Sequence, residues 1–244
     1  MSGLVPDRLP IFILTSSTRK FEHLQFLFGL HSVKAIRIPA QYPEIQENDM
    51  VALLRFASEN LQAQLPFRSA FYLLEQTAVY LNAFGRKPRG PGFYFKQWWE
   101  SKPQNELKDL FARDPRAALE SGMSLLLPNH QPIIFTNTQT GHVSFEGEVL
   151  QENKKYSWLS SDDFNFYFVP KGSNKVYNAL PMVEFLNYDF RRPNVDKVTE
   201  RLSEYESLLT ARVSLEDIQR FASGQIRVRE GEQVKLDPSW KNRS

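Results

Sequence analysis

The sequence predicts an α/β fold, and three observations carry that prediction. Residues 10–15, Pro-Ile-Phe-Ile-Leu-Thr, form a short apolar run that ends in a polar cluster, as a buried strand entering a loop does. Ser16, Ser17 and Thr18 then offer N-caps to a helix over about residues 19–30, with Phe21, Leu24, Leu27 and Phe28 on one face. Residues 33–38 alternate as a second strand. Strand, loop, helix, strand is the opening of an α/β domain.

The remaining elements follow in order. Residues 48–64 read as a helix and 69–74 as a third apolar strand. Gly85, Pro88, Gly90, Pro91 and Gly92 make the next stretch a loop, and helical segments follow near 93–101 and 104–112. Residues 132–136 and 142–150 read as strands, with Thr140-Gly141 as a turn signal between them. Residues 164–169 form another strand, closed by Pro170-Lys-Gly172. A helix begins after Pro193, with Val195, Val198, Leu202, Tyr205 and Leu209 as its buried stripe. Ser214 with Asp217 marks the start of one more helix. Residues 1–222 are expected to be one α/β domain and 223–244 a polar tail.

Composition narrows the function classes. The chain has 244 residues, 41% of them hydrophobic and 13% aromatic, enough for a core without staples. It has no Cys, which excludes disulfides, thiolate metal sites and Cys nucleophiles. The formal charge of +2 indicates no global nucleic-acid field, and nucleic acid is not an expected partner. No run of 18 apolar residues predicts a membrane span, and the first ten residues lack the order of a signal peptide. The dinucleotide GxGxxG, the Walker loop, HExxH and GxSxG are all absent, and the four His show no ligand spacing.

Five segments carry chemistry. Thr15-Ser-Ser-Thr-Arg-Lys20 follows a strand and opens a helix; the amides and hydroxyls of Thr15, Ser16 and Ser17 favour an anion there, and Lys20 adds a charge. Pro43-Glu-Ile-Gln46 places Glu44 where a carboxylate could hold Mg²⁺ against phosphate oxygens. Leu74-Glu-Gln-Thr77 puts Glu75 and Gln76 at the C-terminal end of the third strand, where open α/β sheets bind ligands. Gly90-Pro-Gly-Phe-Tyr-Phe-Lys96 is a tight turn feeding a cation into a helix, inside a stretch from 76 to 99 with no acidic residue. Tyr156-Ser-Trp158 and its aromatic neighbours could stack a base. Each has a plainer account: a capped helix, a loop Glu, a solvated basic loop, an aromatic core.

The order of these segments resembles the inosine triphosphate pyrophosphatase family, which cleaves non-standard purine nucleoside triphosphates. Thr15 to Lys20 looks like the family's Thr-Gly/Ser-Asn-x-x-Lys loop. Pro43 to Gln46 matches its Pro-Glu-Ile-Gln-like segment. Glu75-Gln-Thr77, Leu81-Asn-Ala-Phe-Gly85 and Gly90 to Lys96 follow in the family's order, as do Phe145-Glu-Gly147, Tyr156-Ser-Trp158 and Phe168-Val-Pro-Lys-Gly172. The resemblance covers roughly residues 10 to 210.

It implies a long twisted mixed sheet with flanking helices and two lobes around a cleft, a homodimer, and hydrolysis of a nucleoside triphosphate to monophosphate and pyrophosphate with Mg²⁺ or Mn²⁺; the cytoplasmic expectation rests on the absence of Cys, which suits a reducing compartment. In that reading Lys20 and Lys96 clamp phosphates, Lys20, Glu44 and Gln76 occupy the catalytic positions, and Glu44 and Glu75 hold metal. Trp158 walls the base, and Arg191 is the surviving residue of a Ser-His-Arg base-recognition motif, here Asp189-Phe-Arg191. The departures are Gln76 for the family's Asp, Ser17 for its Asn, and no Asp directly after Trp158, although Asp162 and Asp163 lie nearby. An amide cannot act as a carboxylate base, a loss that typically costs 10²–10⁴ in rate. The alternative is a catalytically silent relative that binds a nucleotide or a protein partner.

Overall fold

The computed structural model describes residues 10–39, 49–62, 65, 70–85, 90–127, 130–145, 156–159 and 164–205. One seven-stranded mixed sheet organises them, in the order β2 (Ala35–Ile38), β1 (Ile11–Leu14), β3 (Phe71–Leu81), β5 (Arg116–Leu126), β6 (Ile133–Val143) and β7 (Phe168–Pro170), with β4 (Pro91–Gly92) paired to the far end of β3. β1 (Ile11–Leu14) is buried on both faces and lies parallel to β2 (Ala35–Ile38) and to the first four residues of β3 (Phe71–Leu81). A strand covered on both faces is continuously apolar, which is why Ile-Phe-Ile-Leu was legible.

From Tyr72 onward β3 pairs antiparallel with β5 (Arg116–Leu126), and β5 pairs with β6 (Ile133–Val143). The third strand does not stop at 74, so Glu75 lies in mid-strand, at the point where the parallel pairing with β1 ends. β5 was not expected, because Ala117, Ala118, Glu120 and Gly122 give it neither a clean alternation nor an apolar run. Pairing on both sides makes it a strand despite weak propensity. Thr140-Gly141 is not a turn but the inside of β6. Gly141 is there for space: a Cβ would stand 2.2 Å from the Val169 carbonyl oxygen of β7 (Phe168–Pro170). Residues 164–166 form a 3-10 turn rather than the start of that strand. The part of the expected 142–150 strand beyond 145, the Ser214 helix and the 223–244 tail lie outside the described residues.

Helices cover both faces. α1 (Thr18–Gly29) starts at Ser17, whose hydroxyl accepts from the Lys20 amide at 3.2 Å. Its buried stripe is His23, Leu24, Leu27 and Phe28, so a histidine is buried while the expected Phe21 is only half-buried. α6 (Arg192–Tyr205) lies beside α1 on this face, burying Val195, Val198 and Leu202. α2 (Met50–Gln62), capped by Asp49 through the Ala52 amide at 2.8 Å, covers the other face over Phe12, Leu14, Tyr72 and Leu74.

Beyond the end of β3, the two-residue β4 (Pro91–Gly92), α3 (Phe95–Glu100), α4 (Gln104–Arg113) and β7 enclose a separate aromatic core that includes Phe95, Phe111, Trp158, Phe164 and Phe168. α5 (Met182–Tyr188), also not expected from the sequence, closes it with Phe185. No described helix is long and apolar enough to cross a membrane.

Candidate functional site

The start of α1 faces this aromatic lobe across a cavity of about 350 Å³, within the size range of small-molecule sites. Its cationic side is Arg19, Lys20, Lys96 and Arg191 with Ser17; its apolar walls are Phe95, Trp99, Trp158 and Phe164. The structure thus brings together Ser17, Lys20, Lys96, Trp158 and Arg191, residues up to 174 positions apart in the chain. Glu100 and Asn165 complete the lining.

The loop that opens α1 is held from three directions. Thr15 is buried, and its hydroxyl accepts from the Ser17 amide at 3.1 Å. Arg37, on β2, donates to the Thr15 carbonyl at 3.2 Å, to the Thr18 hydroxyl at 2.9 Å and to the Ser16 carbonyl. No motif marks Arg37 in the sequence; parallel pairing of β1 and β2 delivers it. Lys20 donates to the backbone carbonyl of Glu75 at 3.0 Å, and its ammonium stands 3.0 Å from Glu75 Oε2 as an ion pair.

Glu75 is the centre of a buried polar network beneath the cavity. Its Oε1 accepts from Arg191 Nε at 3.0 Å and from the Thr77 hydroxyl at 2.7 Å. Thr77 in turn accepts from the other side of the Arg191 guanidinium at 2.8 Å. Burial by itself raises a carboxyl pKa. The charges of Arg191 and Lys20, with hydrogen bonds from Thr77 and Lys20, reverse that and hold Glu75 at about 2.

Arg191 also donates through Nη1 to His23 Nδ1 at 3.1 Å, while His23 Nε2 lies 2.6 Å from Asp189 Oδ2. Asp189 Oδ1 accepts from the Arg191 amide at 2.8 Å. Burial opposes the ionised form of Asp189, but His23 and Arg191 hold its carboxyl below the ordinary value. The two cations and two carboxylates balance, as a buried cluster requires.

Both oxygens of Glu75 face cations, Oε1 through the Arg191 hydrogen bond and Oε2 through the Lys20 ion pair, with no hydrogen bond to Oε2 from the described residues. A divalent ion there would stand against Lys20 and Arg191, so as arranged Glu75 does not fit as a Mg²⁺ ligand, which needs a carboxylate oxygen free to bind the ion. Among the described residues no group of three or more His, Asp or Glu side chains could hold a metal. Glu44, Asp162 and Asp163 lie outside the described residues. Gln76 follows Glu75 on a strand, so it points to the opposite face, that of Tyr72, Leu74 and Ala78 under α2. It does not line the cavity.

Lys96 is highly exposed and stands 3.8 Å from Glu100. Trp158 is only 7% exposed, with His23 stacked parallel to it at 5.0 Å and Phe26 and Tyr156 against it. It is a fixed wall, while the less buried Trp99 offers a more accessible ring. His23, Asp189, Arg19, Trp99 and Phe164 are site residues that sequence reasoning missed. A histidine on the apolar face of α1 was the one readable signal among them.

No protein-family model matches the chain, and no curated protein matches it. Solved structures do. The Ham1 protein of Staphylococcus aureus superposes at a TM-score of 0.58 with 15% identity, over 80% of this chain and 98% of that one. A HAM1 protein from Coxiella burnetii gives 0.59 with 15% identity, over 80% and 99%. The mixed seven-stranded sheet with helices on both faces is therefore the fold of the Ham1 proteins.

Proposed function

We propose that this chain is a divergent nucleoside triphosphate pyrophosphatase. The observation that carries the reading is the cavity itself. One wall is a capped helix start with Arg19, Lys20, Lys96 and Arg191, and the other is a set of aromatic rings. Polyphosphate and a planar base are the two halves of one ligand that such walls suit. The Ham1 fold agrees with it, as does the ordered resemblance to the inosine triphosphate pyrophosphatase family.

In the proposed reaction a water oxygen bonds to the α-phosphorus and the bond from that phosphorus to the α–β bridging oxygen breaks. Pyrophosphate leaves with the bridging oxygen, the monophosphate stays behind, and the water gives up its protons to solvent. Lys20, Lys96 and the amides at the start of α1 hold the phosphates and offset the charge that moves onto the leaving group. Arg191 reaches the cavity with its guanidinium direction fixed by three partners. Trp99, Phe95, Phe164 and Trp158 exclude water from the base. A divalent ion carried in as part of the substrate would supply further charge neutralisation.

The test is pyrophosphate release from a panel of standard and deaminated triphosphates with Mg²⁺ or Mn²⁺. Turnover that collapses in Lys20→Ala supports the reading, and a wild type silent on every triphosphate refutes it.

A second reading has its own observation. Gln76 is an amide on the other sheet face, and Glu75 is already neutralised, so neither stands free as a base. A protein that binds a nucleotide without cleaving it would show nucleotide-dependent thermal stabilisation and no pyrophosphate.

A further inference from the structure

The direction of the Arg191 guanidinium is set by partners on three sides. Its Nε bonds Glu75, its Nη2 bonds Thr77, its Nη1 bonds His23, and the Phe190 ring lies 4.5 Å beneath its central carbon. Among the described residues three of its five N–H groups find partners, which leaves two toward a ligand in the cavity it lines.

The His23 contact fixes more than a distance. A guanidinium can only donate. His23 Nδ1 must therefore accept, and the ring proton must sit on Nε2, where Asp189 Oδ2 receives it at 2.6 Å. Asp189 cannot turn to offer anything else, because its other oxygen accepts the Arg191 backbone amide at 2.8 Å. The chain of direction runs from a backbone amide, through a carboxylate and an imidazole, to the guanidinium.

We propose that Asp189 and His23 are a positioning pair: the carboxylate of Asp189 sets His23 as its Nε2–H tautomer, and the imidazole so set aims the Arg191 guanidinium into the nucleotide cavity. The nucleotide part of this statement rests on the function proposed above; the tautomer and the aim of Arg191 do not. The same logic of a buried carboxylate choosing a histidine tautomer operates in serine-protease triads, though here the imidazole orients a cation and abstracts no proton.

Asp189→Asn tests it sharply. The Arg191 amide still demands an acceptor at the Oδ1 position, so the new NH₂ group must face His23 Nε2. The ring is then forced to the Nδ1–H form, which sets two donors against each other at Arg191.

The experiment is ¹⁵N NMR of the imidazole rings, with His23→Phe assigning His23 among the four histidines. It is paired with ITP and ATP affinities in Mg²⁺ and with hydrogen exchange of the Arg191 Nε proton. The wild-type ring should be Nε2–H; a ring protonated on Nδ1 overturns the proposal without any variant. Asp189→Asn should switch the tautomer, speed Arg191 Nε–H exchange and weaken triphosphate binding by about tenfold or more, the worth of a lost charge-assisted hydrogen bond. A variant that keeps Nε2–H, or switches without loosening Arg191, overturns it.

His23→Phe preserves the ring stacked on Trp158, so a purely packing role predicts unchanged affinity and the positioning role a similar loss. A wild type that binds neither ITP nor ATP refutes the proposed function, while the tautomer and exchange measurements still decide the positioning pair.

Discussion

Glu75→Gln is the perturbation whose consequence is most fully set by the structure. The side chain is 1% exposed, and two cations, Lys20 and Arg191, depend on it at 3.0 Å each. Arg191 and Lys20 hold its carboxyl at about 2 against an ordinary 4.5. At 1.36 kcal/mol per pKa unit that difference is about 3 kcal/mol of folding stability. Its sign follows from the depressed value: the contribution is complete above pH 4.5 and is lost as pH falls toward 2. The amide can still accept from Arg191 with its oxygen. Its NH₂ group then faces the Lys20 ammonium, donor against donor, and a buried pair broken on one side typically costs 3–5 kcal/mol.

For a chain of this length 1 kcal/mol corresponds to about 2–4 °C, so Tm should drop by about 6–12 °C at pH 7. The assay is urea unfolding of wild type and variant between pH 7 and pH 3. The gap between the two should be constant at the neutral end and narrow toward acid, because only the wild type takes up the proton. A gap below about 1 kcal/mol, or one that does not change with pH, would refute the reasoning.

Three further outcomes follow. Gly122→Ala should destabilise by about 1–3 kcal/mol in denaturant melts, because a Cβ there would come within 2.4 Å of Met50 and 2.7 Å of Leu54, where α2 lies on β5. Lys20→Ala should reduce triphosphate-induced thermal stabilisation by the equivalent of about tenfold or more in affinity, whereas Lys96→Ala, with its exposed side chain, should cost less. Gln76→Asp should leave the Glu75–Arg191 network unchanged, since it faces the other side of the sheet, so both nucleotide affinity and the rate of pyrophosphate release should stay within about twofold of wild type.

What the sequence determined by itself was local. Four consecutive buried residues in β1, the capping hydroxyl of Ser17 and the three-and-four spacing of α6 are signals written within a few residues, and they sufficed for an α/β fold. The ordered segments from Thr15 to Gly172 gave the resemblance, and with it the sheet and the helices on its faces. Ser17, Lys20, Lys96, Trp158 and Arg191 were legible as candidates because each sits in a distinctive short segment, and they share one cavity.

The tertiary structure alone decided the rest. β5 is a strand because β3 and β6 pair with it on either side, a cause that no window of residues 116–126 contains. Once β3 runs on past residue 74, strand alternation sends Glu75 and Gln76 to opposite faces, so two adjacent candidates cannot serve one site in the same way. Arg37, His23 and Asp189 were not candidates by their own chemistry, and they become parts of the site only where sheet pairing and helix packing set them against Thr15, Arg191 and Trp158. Charge in a buried network is a property of neighbours: Glu75 could be read from the sequence as a metal ligand, and it is the folding of α1 and the start of α6 around it that binds it to Lys20 and Arg191.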